Sequence, residues 1–395
     1  MLHNGNEFFP ALCAAIDAAQ RNVHLETYIF NLDRTGNRVL DALAQACARG
    51  VKVRVVIDGF GSYRHASEIV LRLNKMGAQC RVYRPEPTGL QRYRFDPRRL
   101  RRLHRKVVVV DGRTAFVGGI NILDDLVDVP DDGQGPRPRF DFAVRLRGSI
   151  VRDVISIQRT LWLRMAWRRR DDWDAFYKRI AGWRTRANAR YESASPPPEK
   201  GGKGMRAALL LRDNVRFRRK IENVYVHTIR EAKRDILVAN AYFFPGRRLR
   251  QALQEAAARG VRVRLLLQGH SEYAMQYRAS RYMYCKLLDD GIEIHEYMAS
   301  YLHAKVAVVD DYAMVGSANL DPFSLLLARE ANVFIHDAGF AAQLKASLEA
   351  ELESDGKHVT AQQLQKRGMW GQWVDHFAYL MLRAGVALTG QASRY

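Results

Sequence analysis

Two short stretches of this 395-residue chain combine a histidine, a lysine and an aspartate at identical spacing. The two sets are His104, Lys106 and Asp111, and His303, Lys305 and Asp310. A valine-rich run separates lysine from aspartate in both, and such a run predicts a β-strand. Residues two apart on a strand face the same way, so each copy presents an imidazole beside an ammonium group. We place all six residues in the catalytic motif and expect the aspartates to anchor it rather than to react.

Small residues and an asparagine follow each stretch, after a predicted hairpin turn. We interpret four of them as phosphate-binding positions: Gly119 and Asn121 in the first copy, and Ser317 and Asn319 in the second. Small residues let backbone N–H groups approach an anion, and the amide adds a donor. Two copies that converge on one point would supply two imidazoles, two ammonium groups and two amides. That set suits chemistry on a phosphodiester.

The two motifs lie at matching positions of an internal repeat. Residues 15–59 and 228–269 each predict a helix, an apolar strand, an amphipathic helix, an Arg-Gly-Val turn and a buried strand. A second helix and a further strand follow in both copies. This alternation predicts an α/β fold with two similar βαβ-rich sandwich halves, each with a central, mostly parallel sheet flanked by helices. Since each half supplies one set, we expect a pseudo-dimer that works as a monomer.

The repeat and the composition suggest four segments. They are an N-terminal half of residues 1–192, a Pro/Gly-rich linker of residues 193–204, a C-terminal half of residues 205–340 and a helical tail of residues 341–395. Helices are predicted at 150–168, 340–353 and 370–384. In the last helix, one stripe is apolar and comprises Trp370, Trp373, Phe377, Leu380, Met381 and Ala384. We expect this stripe to pack on the core, with an interfacial membrane helix as the alternative.

Composition narrows the class of protein without settling its partner. The net charge of +21 attracts polyanions, which are nucleic acid or an anionic membrane surface. Four cysteines without a Cys-x-x-Cys pair argue against a structural zinc site and a disulfide framework, and favour a reducing compartment. No stretch reaches the ~18 uncharged apolar residues of a spanning helix, and no signal segment is evident, so we expect a soluble or peripheral protein.

The motifs resemble those of the phospholipase D superfamily, and those of bacterial cardiolipin synthases in particular. The resemblance covers about residues 5–333 and rests on HRKVVVVDGRTAFVGGIN at 104–121 and LHAKVAVVDDYAMVGSANLDP at 302–322. The sequences DGFGS at 58–62 and ETYIF at 26–30 are also similar to that subgroup. Two departures affect the second copy. Its hairpin turn is one residue shorter, and Ala328 stands where the family often has asparagine.

The resemblance implies a covalent phosphatidyl-histidine intermediate, no metal and no other cofactor. It makes His104 the nucleophile and His303 the general acid and then the base, a choice that the symmetric motifs leave open. It also implies that Asp141 and Glu330 each orient the histidine of the other half. A carboxylate in that position fixes the tautomer of the imidazole and stabilises the imidazolium.

The implied reaction is phosphatidyl transfer between two molecules of phosphatidylglycerol, which yields cardiolipin and glycerol. The implied setting is the anionic phospholipid surface at the cytoplasmic face of the bacterial cell membrane, with no nucleic acid as partner. A basic, aromatic segment at 91–104 is a candidate contact with lipid head groups. A phospholipase D hydrolase, a nuclease of the same superfamily and a membrane scaffold with a dead site are the alternatives. Two intact motifs in one chain argue against the last two.

Overall fold

The chain builds two sheets in the computed structural model, one from each half. The described residues are 1–87, 89, 99, 101–131, 133, 135–168, 204–212, 217–270, 274–322, 324, 327–366 and 368–387. Most of the basic segment at 91–104 and nearly all of the predicted linker at 193–204 lie outside them. The boundaries of the predicted segments therefore stay predictions.

The first half follows the predicted alternation of strands and helices. Its elements are β1 (Leu2–His3), α1 (Asn4–Asp17), β2 (Asn22–Thr27), α2 (Arg34–Ala48), β3 (Lys52–Asp58), α3 (Ala66–Lys75), β4 (Gln79–Tyr83), β5 (Lys106–Val110), β6 (Thr114–Gly118), β7 (Phe142–Arg147) and α4 (Ile150–Arg168). The helix starting points are set locally: Asp33 caps α2 by accepting a hydrogen bond from the Gly36 N–H at 2.8 Å.

The second half repeats this order and continues into the C-terminal segment. Its elements are β8 (Arg206–Arg212), α5 (Lys220–Glu231), β9 (Asp235–Asn240), α6 (Arg247–Ala258), β10 (Arg262–Gln268), α7 (Ala274–Asp289), β11 (Glu293–Tyr297), β12 (Lys305–Val309), β13 (Tyr312–Gly316), β14 (Glu330–His336), α8 (Ala338–Asp355), β15 (Gly356–His358), α9 (Ala361–Gln365) and α10 (Met369–Ala387). Because β15 pairs with β11, the tail predicted as helical contains one strand of the second sheet.

The α/β class and the two similar halves are confirmed, but the sheets are mixed rather than mostly parallel. The strand orders are β1-β7-β6-β5-β2-β3-β4 and β15-β11-β10-β9-β12-β13-β14-β8. Only the βαβ part of each half is parallel, namely β2-β3-β4 and β9-β10-β11. Tight turns join β5 to β6 and β12 to β13, and a tight turn can only connect antiparallel neighbours. Longer connections lead to β7 and β14, which also pair antiparallel with β6 and β13.

The packing of the valine runs explains why the sequences of these strands are continuously apolar. Val107 and Val109 pack with Val306 and Val308 in a core shared between the two sheets, with contributions from α4 and α8. Val108 and Val110 face the opposite way, into the core beneath α1 and α2. Both faces of the sheet are buried, so the alternation of apolar and polar residues disappears.

The remaining expectations concern helices and cysteines. The helices predicted at 150–168, 340–353 and 370–384 correspond to α4, α8 and α10. All four cysteines are free. Among the helices that the structure describes, none has the length and the apolar character that a membrane crossing needs.

Candidate active site

Both motif histidines lie at the same edge of their sheets. Lys106 and Lys305 are the first residues of β5 and β12, and each histidine stands two residues earlier. Lys305 lies opposite Asn240, the last residue of β9. The histidines therefore sit at the carboxyl ends of the parallel strands, the edge at which open α/β sheets form their sites.

Backbone contacts between the halves bring the two edges together. Leu103 forms a bridge with Arg329, and Phe140 forms the equivalent bridge with Leu302. The N–H of His104 donates to the Arg329 carbonyl at 3.0 Å, and that of His303 donates to the Phe140 carbonyl at 2.9 Å. The residue after each bridge is a histidine on one side and an acid on the other. The main chain thus sets each histidine beside the acid of the other half.

The side chains complete two crossed histidine–carboxylate pairs. His104 Nδ1 lies 2.9 Å from Glu330 Oε1, and His303 Nδ1 lies 2.6 Å from Asp141 Oδ2. The carboxylates are buried, whereas 14% and 19% of the imidazole side chains stay exposed. A carboxylate at Nδ1 leaves the Nε2 lone pair of a neutral imidazole available on the open side. The structure thus joins all four predicted residues, while their roles in catalysis stay predictions.

The two lysines converge on the same point. Lys106 Nζ donates to the His104 carbonyl at 2.7 Å, and Lys305 Nζ donates to the His303 carbonyl. Both lysines are buried. Burial and the charge of Lys305 lower the pKa of Lys106 to about 7. Two ammonium groups in one buried site need an anion nearby, and a phosphodiester supplies one.

Burial also governs the titration of the paired groups. It lowers the pKa of His104, against the opposing effect of Glu330, and it lowers the pKa of His303 well below its ordinary value of 6.5. The same burial raises the pKa of Asp141 to about 7. Burial therefore favours the neutral form of both imidazoles, and the carboxyl beside His303 titrates near neutral pH.

The positions predicted to bind phosphate have two different environments. Asn121 Oδ1 accepts from the Ile29 N–H at 3.1 Å, which orients its amide, and the buried Asn319 Oδ1 has no hydrogen-bond partner. Gly119 and Ser317 instead support the acids. A Cβ at Gly119 would lie 2.3 Å from Asp141 Oδ1, and Ser317 Oγ donates to Glu330 at 2.5 Å.

This differs from the predicted role of Gly119 and Ser317 in phosphate binding. The Gly119 N–H donates to the Phe142 carbonyl at 2.9 Å, and the Ser317 N–H donates to the Ala331 carbonyl at 3.1 Å. Both N–H groups are used because these residues continue the ladders between neighbouring strands. Neither backbone donor is directed at an anion.

The motif aspartates lie at the far ends of the strands and hold the scaffold. Asp111 accepts the N–H groups of residues 20–22 at 2.8–2.9 Å, and Asp310 accepts those of residues 233–235 at 2.9–3.1 Å. Burial opposes ionisation of Asp310, yet the three donors hold its pKa below the ordinary value. Both residues have positive φ, which a short polar side chain tolerates. The structure places them in the anchoring position rather than at the reacting centre.

Two residues that position the motif histidines were not predicted from the sequence. The N–H of Leu103 donates to Asp58 Oδ2 at 2.8 Å, and the N–H of Leu302 donates to Gln268 Oε1 at 3.1 Å. Each acceptor is the last residue of its strand, and each holds the residue before a motif histidine. Asp58 and Gln268 do occupy equivalent positions in the repeat, each before the final glycine of VVIDG and LLLQG, and this equivalence could have identified them. Because one is an acid and the other an amide, they were not recognised as a shared motif.

Tyr28 makes the site asymmetric. Its ring packs edge-on against His104 with centroids 4.8 Å apart, and Lys106 Nζ lies 5.4 Å from the ring centre. Phe30 and Phe243 form equivalent bridges in the two halves, so Ala241 occupies the position that corresponds to Tyr28. In the second half, the position that corresponds to Tyr28 therefore has no aromatic ring.

Within the described residues, no group of three or more His, Cys, Asp or Glu side chains is placed to hold a metal ion. The donors at the site are instead two ammonium groups and two amides. Independence from divalent ions stays a prediction that chelation tests.

Comparison with known proteins gives one consistent family. The family model described as "Cardiolipin synthase, PLD-like domain" matches residues 12–127 and 225–352, which are the two halves. Cardiolipin synthase B of Shigella flexneri is 38% identical over 99% of this chain and 89% of its own length. A probable cardiolipin synthase of Bacillus subtilis is 30% identical over 96% of this chain and 71% of its own.

A solved structure extends the likeness to the fold. Phosphatidylserine synthase of Haemophilus influenzae superposes with a TM-score of 0.67, covering 98% of this chain and 93% of that protein at 14% sequence identity. The two halves thus agree with the two regions that the family model matches and with the fold of this neighbour. The chain belongs to the phospholipase D superfamily and, within it, to the family of the cardiolipin synthases.

Proposed function

We propose that this phosphatidyltransferase moves a phosphatidyl group from one phosphatidylglycerol molecule to a glycerol hydroxyl of a second. The products are cardiolipin and free glycerol. The observation that carries the proposal is the convergence of two histidine–carboxylate pairs, each assembled across the halves. The cardiolipin synthases among its relatives support the choice of lipid.

The first step uses His104 as the nucleophile. Glu330 holds its Nδ1, so the Nε2 lone pair attacks phosphorus. The bond from phosphorus to the glycerol oxygen breaks, and that oxygen takes the proton from His303 Nε2. Glycerol leaves, the phosphatidyl group is bonded to His104, and His303 is neutral.

The second step reverses these roles. The neutral His303 removes the proton from the hydroxyl of an incoming phosphatidylglycerol, and the resulting oxygen attacks phosphorus. The bond between phosphorus and His104 Nε2 breaks, which returns the nucleophile. Since His303 is protonated again, the enzyme is ready for the next turnover.

Positive charge and amide donors hold the phosphoryl oxygens through both steps. Lys106 and Lys305 supply two charges, and Asn121 and Asn319 supply side-chain amides. Repulsion between the ammonium groups contributes to the lowered pKa of Lys106. The negative charge of a bound phosphodiester offsets this repulsion and favours the protonated forms of the lysines and of His303.

The enzyme acts as a monomer at the cytoplasmic face of the bacterial cell membrane. Both motif sets belong to one chain, so a second chain is not needed to complete the site. The net charge of +21 favours an anionic lipid surface. A molecular mass measured in solution tests the monomer.

The test offers phosphatidylglycerol vesicles and single-stranded DNA in parallel and identifies products by mass spectrometry. Cardiolipin with an equal amount of glycerol, and intact DNA, is the expected result. Phosphatidic acid as sole product would make the enzyme a hydrolase, and cleaved DNA with unchanged lipid would make it a nuclease.

A trapping experiment tests the intermediate. A phospholipid labelled at phosphorus should label the wild-type chain. It should label His303→Ala more slowly but persistently, because both the acid of the first step and the base of the second are missing, while His104→Ala should take up no label. His336→Ala is the matched control, because His336 ends β14, the strand that begins with Glu330. Label on His104→Ala and none on His303→Ala would reverse the two roles.

A further inference from the structure

The C-terminal helix α10 exposes an apolar face. The face consists of Met369, Trp370, Trp373, Phe377, Leu380 and Met381. Trp370, Trp373 and Phe377 are 82%, 69% and 64% exposed. The prediction that this apolar stripe packs on the core is therefore wrong. The residues recur every three or four positions because together they form an exposed face. Large aromatic side chains grouped on one exposed face mark an interaction surface.

The opposite face of α10 fixes the helix to the second half. Ala378 and Leu382 are buried in the core beneath α7. The Tyr379 ring packs 4.6 Å from that of Tyr282 on α7. Arg278 donates to the buried Asp375 at 3.3 Å. The helix is thus held in place by one side while its apolar face points outward.

A short series of contacts also links the helix to the candidate active site. Leu320 follows Asn319 directly, and its carbonyl accepts the N–H of Phe244 at 2.8 Å. The Phe244 ring packs on Tyr379 of α10, with centroids 5.5 Å apart. Two contacts therefore connect the exposed helix with Leu320, the residue next to Asn319.

We propose that the apolar face of α10 inserts into the interfacial region of an anionic phospholipid bilayer and holds the active site against it. The charge pattern selects this occupant. Asp375 is the one acidic residue of α10 and is buried against Arg278, whereas Arg383 on the helix and Lys366 just before it are exposed. Aromatic side chains with basic neighbours and no exposed acid are the pattern of an interfacial helix on anionic lipid.

A second copy of the chain is the less suitable occupant. Each copy carries a net charge of +21, so self-association would bring two positive surfaces together. A bilayer containing phosphatidylglycerol complements the same charge. The inference deepens the proposed function, since an enzyme that takes its substrate from a bilayer needs its site at the surface.

The test measures sedimentation with vesicles of phosphatidylglycerol and phosphatidylcholine. The variant W370S/W373S/F377S, made in a His104→Ala background so that no lipid is consumed, should lose roughly ten-fold or more of its partition coefficient. Leu71→Ser is the matched control, because Leu71 is 54% exposed on α3 of the other half. In the same background, Leu71→Ser should bind the vesicles as strongly as His104→Ala does. Equal thermal unfolding of all three shows that the fold is intact.

A second variant tests insertion without removing apolar surface. Brominated lipids should quench the tryptophan fluorescence of the wild-type chain, and W370F/W373F should lose most of this quenching while it still binds vesicles. Unchanged vesicle binding by the triple serine variant would overturn the proposal, as would equal loss in Leu71→Ser. A lipid-free dimer that the triple variant dissociates would assign the face to a second copy.

The readouts separate this inference from the proposed reaction. The triple serine substitution in the active enzyme should leave hydrolysis of a water-soluble nitrophenyl phosphodiester unchanged and lower turnover on vesicles. If vesicle binding depends on the face while no cardiolipin forms, the docking surface stands and the proposed reaction fails. If cardiolipin forms but vesicle binding does not depend on the apolar face, the proposed reaction stands and the docking surface fails.

Discussion

Replacing Gly119 by alanine should damage catalysis without touching a reacting group. The added Cβ would lie 2.3 Å and 2.7 Å from the two carboxylate oxygens of Asp141. Neither distance is compatible with a packed contact, so the carboxylate must move. Asp141 Oδ2 lies 2.6 Å from His303 Nδ1, and this is the contact that the movement breaks.

The magnitude follows from that contact. A hydrogen bond to an ionised partner is worth about 1.5–3 kcal/mol. A loss of about 1.4 kcal/mol in transition-state stabilisation lowers a rate ten-fold. Gly119→Ala should therefore lower kcat roughly 10-fold to 150-fold, with little change in KM, because the proposed mechanism uses His303 in both chemical steps.

The assay is steady-state turnover on phosphatidylglycerol vesicles, with Gly204→Ala as the control. A Cβ at Gly204 meets no atom within 4 Å and Gly204 has no positive φ, so that variant should behave as wild type. Asp141→Asn tests the mechanism of the loss. Because both changes disrupt one contact, Gly119→Ala/Asp141→Asn should be little worse than Asp141→Asn alone. Full activity of Gly119→Ala, or losses that multiply in the double variant, would refute the reasoning.

Three further predictions use the same site. The pH profile of kcat/KM should be bell-shaped. Burial lowers the pKa of His104, so the acidic limb lies below 6.5, and burial raises the pKa of Asp141 to about 7, so loss of the Asp141 proton beside His303 lowers activity above neutral pH. Lys106→Ala and Lys305→Ala should each lower kcat by ~100-fold or more and the double variant little further, whereas half activity in each would indicate two separate sites. Turnover should survive a chelator, and restoration by one specific metal after complete loss would contradict this.

The sequence predicted the features that local pattern and repetition encode. The two βαβ units and the motif strands were readable because apolar runs, turns and motifs recur at the same spacing. The mixed character of the sheets was not predicted, since buried strands are apolar whether their neighbours are parallel or antiparallel. Orientation there depends on the short turns after Val110 and Val309.

Long-range geometry is the part that the sequence could not supply. Glu330 lies 226 residues from His104, and Asp141 lies 162 residues from His303. Their pairing came from family resemblance, and the structure adds its cause, the two backbone bridges that precede them. The prediction that the apolar face of α10 packs on the core was wrong for a similar reason. A helical stripe shows that one face differs from the other, but not whether protein covers it.

The departures from symmetry bear on which histidine is the nucleophile. A duplicated fold offers two equivalent imidazoles, while a double displacement needs one nucleophile and one acid–base group. The Ser317 hydroxyl donates to Glu330, so the carboxyl beside His104 receives a second hydrogen-bond donor. At the corresponding place Gly119 has no hydroxyl, and burial raises the pKa of Asp141 to about 7. The first pair is suited to support a positive imidazole bonded to phosphorus, and the second to give up and regain a proton near neutral pH.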